Sequence, residues 1–99
     1  MAEPLRFHPL DADDLEAAAN WYDDISIELG DRFRASADSR FDAVELRPES
    51  FGMVDPPLHA AIVNRFSYLI VFEHYRNAID VLGVFHSASD PNKWRKRKE

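Results

Sequence analysis

Cysteine is missing from this chain, and so are long apolar runs and a cationic leader. Without cysteine there can be no disulfide framework, no thiolate nucleophile and no cysteine-based metal site. The lack of cysteine fits a reducing compartment. The apolar runs are too short to span a bilayer, and the first residues do not resemble a signal peptide. We therefore expect a cytoplasmic protein that makes no membrane contact.

Motifs for cofactor and metal chemistry are also lacking. The sequence has neither a glycine-rich phosphate loop nor a serine nucleophile elbow. His8, His59 and His74 have no ligand-like spacing with each other or with acidic residues. We therefore expect no metal site and no cofactor.

Charge is present, but it is unevenly distributed. The 99 residues are 45% hydrophobic and 30% charged, which predicts one soluble globular domain over 1–99. The net charge of -6 divides into -8 for residues 1–50 and +2 for residues 51–99. A basic patch in the second half could still meet phosphate or an acidic partner.

Apolar residues in the first half recur at the spacing of amphipathic helices. Before them, the alternating segment 5–8 predicts a short strand between two prolines. Asp11 is placed to cap the first helix, and Asp14 follows in its first turn, where the dipole favours acids. Gly30 is predicted to end this helix and Asp31 to cap the second, which a proline stops. The helical stripes are Leu15, Ala18, Tyr22, Ile25 and Leu29, then Phe33, Ala37, Phe41 and Val44.

The second half changes to strand patterns. Residues 49–58 carry glycine and prolines without a sustained period, which predicts a loop. Residues 60–66, 68–75 and 78–86 are rich in β-formers and predict three strands. The first strand is expected to return beside the last or the middle of these.

The expected fold is therefore α+β: an N-terminal strand, a helical hairpin and a three-stranded antiparallel meander, with one sheet on one helical layer. Strands two and three of the meander are apolar on both faces. One face would cover the hairpin, and the other has only a short tail to cover it. That second face is either a partner surface or is covered by the tail and the loop at 49–58.

Several residue groups follow one another in a particular order along the chain. They are Trp21-Tyr22, Gly30 with Phe33, Pro48, Arg65-Phe66-x-Tyr68, and Val84-Phe85-His86-x-x-x-Asp90-Pro91-x-x-Trp94-x-x-Arg97. Together with the order of elements, they resemble the RelE/ParE superfamily of bacterial toxins, also called plasmid stabilisation proteins. The chain departs from the family at Ser89, where Arg is frequent, and at Ser67, where Pro is frequent.

The resemblance implies a growth-inhibiting toxin of a type II toxin–antitoxin module, neutralised by a small antitoxin. Some members of the family bind and inhibit DNA gyrase, and others cleave mRNA on the ribosome. A third interpretation is a non-toxic binding module that retains the fold. Ser89 weakens the transfer of RNA cleavage, because an Arg at that position would contact an anion.

Metal-independent RNA cleavage requires a base, an acid and a cation that stabilises the phosphorane. His86, Arg65 and Tyr68 are the candidate catalytic residues if the protein is a nuclease. The candidate phosphate- or partner-binding residues are Arg65, Asp90, Lys93, Trp94, Arg95 and Arg97.

Structural roles compete with these functional ones. His86 could simply hydrogen-bond the turn that follows it, and Asp90 could initiate that turn or cap a tail helix. Trp94 is expected to pack the tail onto the sheet. Trp21 is expected to fill the seam between helix and sheet.

The acidic balance favours the gyrase interpretation, because a ribosome-dependent nuclease has to approach a dense polyanion. The antitoxin is expected to cover the open sheet face with apolar side chains. Its acids would meet Arg65, Lys93, Arg95 and Arg97. Without antitoxin, the exposed face is expected to drive self-association.

Overall fold

The computed structural model describes residues 4–98, which form a mixed sheet with helices on both faces. The strands are β1 (Leu5–Phe7), β2 (Met53–Asp55), β3 (Leu58–Ile62), β4 (Tyr68–His74) and β5 (Ile79–His86). The helices are α1 (Asp11–Ile25), α2 (Ile27–Leu46) and α3 (Asn92–Lys98), and a 3-10 turn spans Pro48–Ser50. The sheet order is β1-β5-β4-β3-β2, with β1 parallel to β5 and the other neighbours antiparallel.

The predicted fold class, a three-stranded antiparallel meander under one helical layer, is wrong. The sheet has five strands and is mixed, and the described chain has three helices. β3, β4 and β5 do pair in meander order, but β1 joins β5 in parallel and β2 extends the other edge. β2 lies in the predicted loop, and its three residues are too few to show the alternation by which a strand is recognised.

The predicted boundary of the helical hairpin is also wrong. The helical conformation is interrupted at Ser26, between α1 and α2. The backbone of Ser26 is extended, and its Oγ accepts a hydrogen bond from the Leu29 amide at 3.0 Å. Gly30 lies inside α2 instead of ending α1. A Cβ at Gly30 would overlap the Asp23 carboxylate, which pairs with Arg34 at 2.6 Å. Gly30 is therefore a site of close approach between α1 and α2.

The main core lies between the sheet and the α1–α2 hairpin. The predicted stripe of α2 is confirmed, because all four of its residues, Phe33, Ala37, Phe41 and Val44, are buried. The stripe of α1 is confirmed in part: Ala18 is buried, but Ile25 is 63% exposed. Trp21 is 64% exposed, so the expectation that it fills the seam between helix and sheet is wrong.

A second, smaller core lies on the opposite face of the sheet, under α3. Trp94 is buried there, and its ring centroid is 5.7 Å from that of Phe85. Leu58, Val71 and Leu82 complete this cluster. The expectation that Trp94 packs the tail onto the sheet is confirmed. The tail thus forms a helix that covers part of the face for which a partner and the tail with the loop at 49–58 were the two expected covers.

Candidate functional site

Two of the three candidate catalytic residues are in contact. Tyr68 opens β4 and His86 closes β5, and the antiparallel register places them directly opposite each other. Their ring centroids are 5.2 Å apart, in an edge-to-face arrangement. We call this region, together with the β3–β4 turn beside it, the Tyr68 end of the sheet.

The environments of these two rings differ. Tyr68 is half-buried, and burial, followed by the proximity of Tyr22, raises the pKa of its phenol above the usual value. His86 is exposed, and its Nδ1 accepts a hydrogen bond from the Ala88 amide at 3.0 Å. In the neutral ring the proton is therefore on Nε2, which could donate to a ligand. The site offers a phenol and an imidazole next to solvent.

Arg65, the third candidate, lies in the turn between β3 and β4. It is exposed, and its φ of 69° falls in the left-handed region that favours glycine. It lines a shallow cleft of about 400 Å³ together with α2 residues that include Arg32. Arg65 therefore lies at the same end of the sheet as Tyr68 and His86.

Asp90 and Lys93 lie where the chain enters α3. The Asp90 Oδ1 accepts a hydrogen bond from the Asn92 amide at 3.0 Å, and its carbonyl accepts one from the Lys93 amide at 2.9 Å. Asp90 thus shapes the turn before α3, and the Lys93 side chain is exposed. The structural role considered for Asp90 agrees with this geometry.

Three other cations of α3, those of Arg95, Arg97 and Lys98, form ion pairs with carboxylates on separate elements. Arg95 pairs with Asp55 at the end of β2 at 2.5 Å. Lys98 pairs with Glu73 on β4 at 3.0 Å. The structure thus separates cations that were expected to meet the acids of the antitoxin together. Arg65 lies at the Tyr68 end, whereas Arg95 and Lys98 lie against acids elsewhere.

Arg97 belongs to a group of residues that sequence reasoning did not bring together. Its Nη1 is 2.5 Å from the Asp14 Oδ2 and donates to the Leu82 carbonyl at 3.0 Å. Its guanidinium also lies 4.9 Å from the centre of the Phe85 ring. The Asp14 Oδ2 further accepts a hydrogen bond from the Val84 amide at 3.3 Å. A tail cation and a first-turn acid therefore meet at the edge of β5.

Two local features make room for this pair. β5 contains an irregularity opposite Val71 and Phe72, so that Val71 pairs with Gly83 and Phe72 with Val81. A Cβ at Gly83 would overlap both the Asp14 carboxylate and the Arg97 guanidinium. A lone glycine inside a strand pattern is a signal of such close approach, and it was the one sequence clue to this site.

Asp11 lies beside the same pair. It is the first residue of α1 and not its cap, which is Leu10, so the predicted N-cap is wrong. The carboxyl is buried, and within residues 4–98 its Oδ1 has no hydrogen-bond partner. Burial, and next the charge of Asp14, raise the pKa of Asp11 to about 6, while Arg97 opposes the rise.

Part of the face that carries α3 is left open. Ile62 pairs with Leu69 across β3 and β4, and Leu69 packs against the cluster under α3. Residues opposite each other on adjacent strands share a face, so Ile62 lies on this side too. Ile62 is 61% exposed and Leu69 is partly buried. An apolar strip therefore remains beside α3.

Residues 4–98 contain no group of three or more His, Asp or Glu side chains that could hold a metal ion. Within the same residues, no helix is both long and apolar enough to cross a membrane.

No protein-family model matches the sequence, and a search of curated proteins finds no significant match.

Proposed function

We propose that this chain is the toxin of a type II toxin–antitoxin module, of the RelE/ParE kind, and that it acts by binding a protein target. DNA gyrase is the expected target. The proposal depends on the resemblance of the sequence motifs and on the distribution of charge. It needs no cofactor.

The observation that carries the choice of a protein target is the ion pair between Arg97 and Asp14. Arg97 ends the motif shared with the toxins and is a candidate phosphate ligand. Its side chain is only 14% exposed, and that of Asp14 is 18% exposed. Binding RNA phosphate would require breaking this pair, which is costly when the partner carboxylate stays buried. The acidic net charge of -6 adds to the unfavourable approach to RNA.

The proposed antitoxin would cover the apolar strip at Ile62 and Leu69. Exposed apolar side chains beside exposed cations suit a segment that carries both apolar and acidic residues. Arg65 and Lys93 are exposed and suit acids of the antitoxin. Arg95 and Arg97, which were expected to serve the same purpose, already pair with Asp55 and Asp14. The proposal therefore assigns only Arg65 and Lys93 to the antitoxin contact.

The direct test is a supercoiling assay with purified gyrase and relaxed plasmid. We expect the purified chain to inhibit supercoiling in proportion to its concentration. Unchanged supercoiling at a large excess of the chain would overturn the choice of gyrase. Induced expression without an antitoxin is expected to arrest growth. Unchanged growth with confirmed soluble expression would favour the non-toxic binding module.

The Tyr68–His86 contact favours a second candidate, a metal-independent mRNA endoribonuclease. A phenol and an imidazole 5.2 Å apart between ring centroids, with Arg65 at the same end of the sheet, could supply acid–base and electrostatic catalysis. Ribosome-bound mRNA is the substrate to test. His86→Ala and Tyr68→Phe should each abolish cleavage, and cleavage that survives both would remove this assignment.

Arg65 allows a well-controlled test of the same candidate. Because its φ is 69°, glycine fits the backbone better than arginine does. Arg65→Gly should therefore remove the cation without disturbing the turn, and Arg65→Lys should keep the charge. A nuclease that uses Arg65 would lose activity in the first variant and keep part of it in the second.

A further inference from the structure

A large apolar concavity of the described chain lies away from the Tyr68 end of the sheet. It is a groove of about 720 Å³ bounded by β1, the first turns of α1 and the middle of α2. Its apolar wall includes Phe7, Leu15 and Phe41. We call it the β1 groove, because it lies beside β1, one of the two edge strands of the sheet.

Apolar surface in this groove is left open to solvent. Phe7 is 52% exposed although its ring meets that of Phe41 edge-to-face, with centroids 5.7 Å apart. Leu10, which follows the groove residue Pro9, is 47% exposed. When a ligand covers an aromatic side chain that is half-exposed at the mouth of a cavity, the burial of its apolar surface favours binding.

The charged lining of the groove is of one sign. Three carboxylates contribute to it, those of Asp11, Asp38 and Asp42, and the described lining contains neither Lys nor Arg. Asp38 and Asp42 are exposed and lie one turn apart on α2, where like charges repel each other. A cation placed between them would relieve that repulsion.

Asp11 adds a third, independent observation. It is 6% exposed, and its Oδ1 has no hydrogen-bond partner within residues 4–98. A buried carboxyl oxygen without a partner is costly. Because this oxygen is closed to solvent, a donor from outside could satisfy it only if the Asp11 side chain turned toward the groove. The groove thus combines an apolar wall, an acidic rim and, in Asp11, a lining residue with an unsatisfied oxygen.

We propose that the β1 groove binds a segment of another protein that presents Lys or Arg side chains next to apolar ones. The apolar side chains would cover Phe7 and Phe41, and the cations would meet Asp38 and Asp42. This inference depends on the groove alone and holds whether or not the chain is a toxin.

A second copy of this chain is a poor occupant. Each copy carries a net charge of -6, so two copies repel each other, and within α3 Arg95, Arg97 and Lys98 already pair with Asp55, Asp14 and Glu73. Without breaking these pairs, α3 of another copy could offer only Lys93 and Lys96 to the groove. The occupant is therefore a different protein whose cations are available.

The test is a titration of the ¹⁵N-labelled full chain with a peptide of alternating leucine and lysine, followed by NMR and by fluorescence anisotropy. Two matched peptides replace every lysine by glutamate or every leucine by glycine. We expect the leucine–lysine peptide to shift the amide signals of Ala12, Leu15 and Phe41. The other two peptides should bind at least roughly tenfold more weakly, because each lacks one half of the recognised chemistry.

Variants distinguish the groove from the general acidity of the chain. Asp38→Asn with Asp42→Asn should weaken binding of the leucine–lysine peptide roughly tenfold. Asp13→Asn with Asp24→Asn removes the same charge from exposed positions outside the groove lining and should change binding less than twofold. Circular dichroism is expected to show that all four substitutions preserve the fold.

Four outcomes would overturn the proposal. One is equal binding of the glutamate peptide, and another is a set of shifted amides that excludes the groove. The third is that the two double variants weaken peptide binding equally, which would show that the net charge of the chain, and not the groove, determines binding. Dimerisation of the free chain that Asp38→Asn with Asp42→Asn abolishes would likewise overturn it, because the occupant would then be a second copy.

Discussion

Arg97 and Asp14 lie 83 positions apart in the chain, and their side chains form a two-point ion pair, with Nη1–Oδ2 at 2.5 Å and Nη2–Oδ1 at 3.3 Å. Arg97 belongs to α3 on one face of the sheet, and Asp14 belongs to α1 in the hairpin that packs on the other face. The pair therefore connects the two helical layers around the edge of β5. The pair also engages Arg97, which the sequence motif makes a candidate contact to a partner or a phosphate.

Breaking this pair should destabilise the fold strongly. Arg97→Ala leaves the Asp14 carboxylate poorly compensated in a largely buried site, and a loss of about 3 kcal/mol in the free energy of unfolding is expected. Urea denaturation followed by circular dichroism measures it. Arg95→Ala is the control, because its pair with Asp55 is more exposed and should contribute less than about 1 kcal/mol. Equal losses in the two variants would contradict the structural role of Arg97.

Gly83 should tolerate no side chain. In Gly83→Ala the new methyl group would overlap Asp14 and Arg97, so the pair would have to separate or β5 would have to shift. Overpacking of this kind costs about 1–3 kcal/mol. Gly52→Ala is the matched control, because nothing lies within 4 Å of a Cβ at that position. Thermal melting of both variants is the measurement, and a Gly83→Ala protein as stable as Gly52→Ala would argue against this packing.

Asp11 should make stability depend on pH. Its pKa is raised from 3.8 to about 6 in the folded protein, so the native state binds the proton more tightly than the unfolded state does. The resulting stability is full below about pH 4 and is lost as pH rises through about 6. Asp11→Asn cannot ionise. We expect it to be about 3 kcal/mol more stable than the parent at pH 8 and nearly equally stable at pH 4.

Urea denaturation at a series of pH values measures this difference. Asp13→Asn removes a neighbouring exposed acid and controls for the change in net charge. If both substitutions give the same difference at every pH, the effect does not come from the burial of Asp11.

Replacing Trp94 should reduce the stability of the fold much more than replacing Trp21. Trp94 is 5% exposed and fills the second core, so Trp94→Ala should cost about 3 kcal/mol or more and release α3 from the sheet. Trp21 is 64% exposed, and Trp21→Ala should change the free energy of unfolding by less than about 1 kcal/mol. Hydrogen exchange of α3 amides would show the release directly. Protected α3 amides in Trp94→Ala would contradict this account.

The sequence predicts the parts of the fold that depend on local patterns. The α2 stripe and the three central strands follow from hydrophobic period and β-propensity, and both exist in the structure. β2 escapes prediction because three residues are too few to establish a period, and α3, with seven, could be suggested as a tail helix but not established by its period. The sequence predicts the end of α1 at Gly30, because glycine is the stronger signal of a helix end. The helix ends before Ser26, which caps the N-terminus of α2.

The candidate site divides in a similar way. Tyr68 and His86 are recognisable as strand-end residues, but only the β4–β5 register places them opposite each other. The partners of Arg95 and Arg97 were unpredictable, because Asp55 and Asp14 are brought close only by β2 and by α1. Charge along the sequence indicates which residues can pair, and the topology decides which of them do.

The position of β1 has a consequence for synthesis on the ribosome. β1 is translated before the α1–α2 hairpin, yet its neighbour in the sheet, β5, follows only at Ile79. The hairpin therefore emerges with its apolar side uncovered and waits for the strands β3, β4 and β5 to be translated. Contacts of such long range are slow to form, so the nascent chain should depend on chaperone protection until β5 has left the exit tunnel.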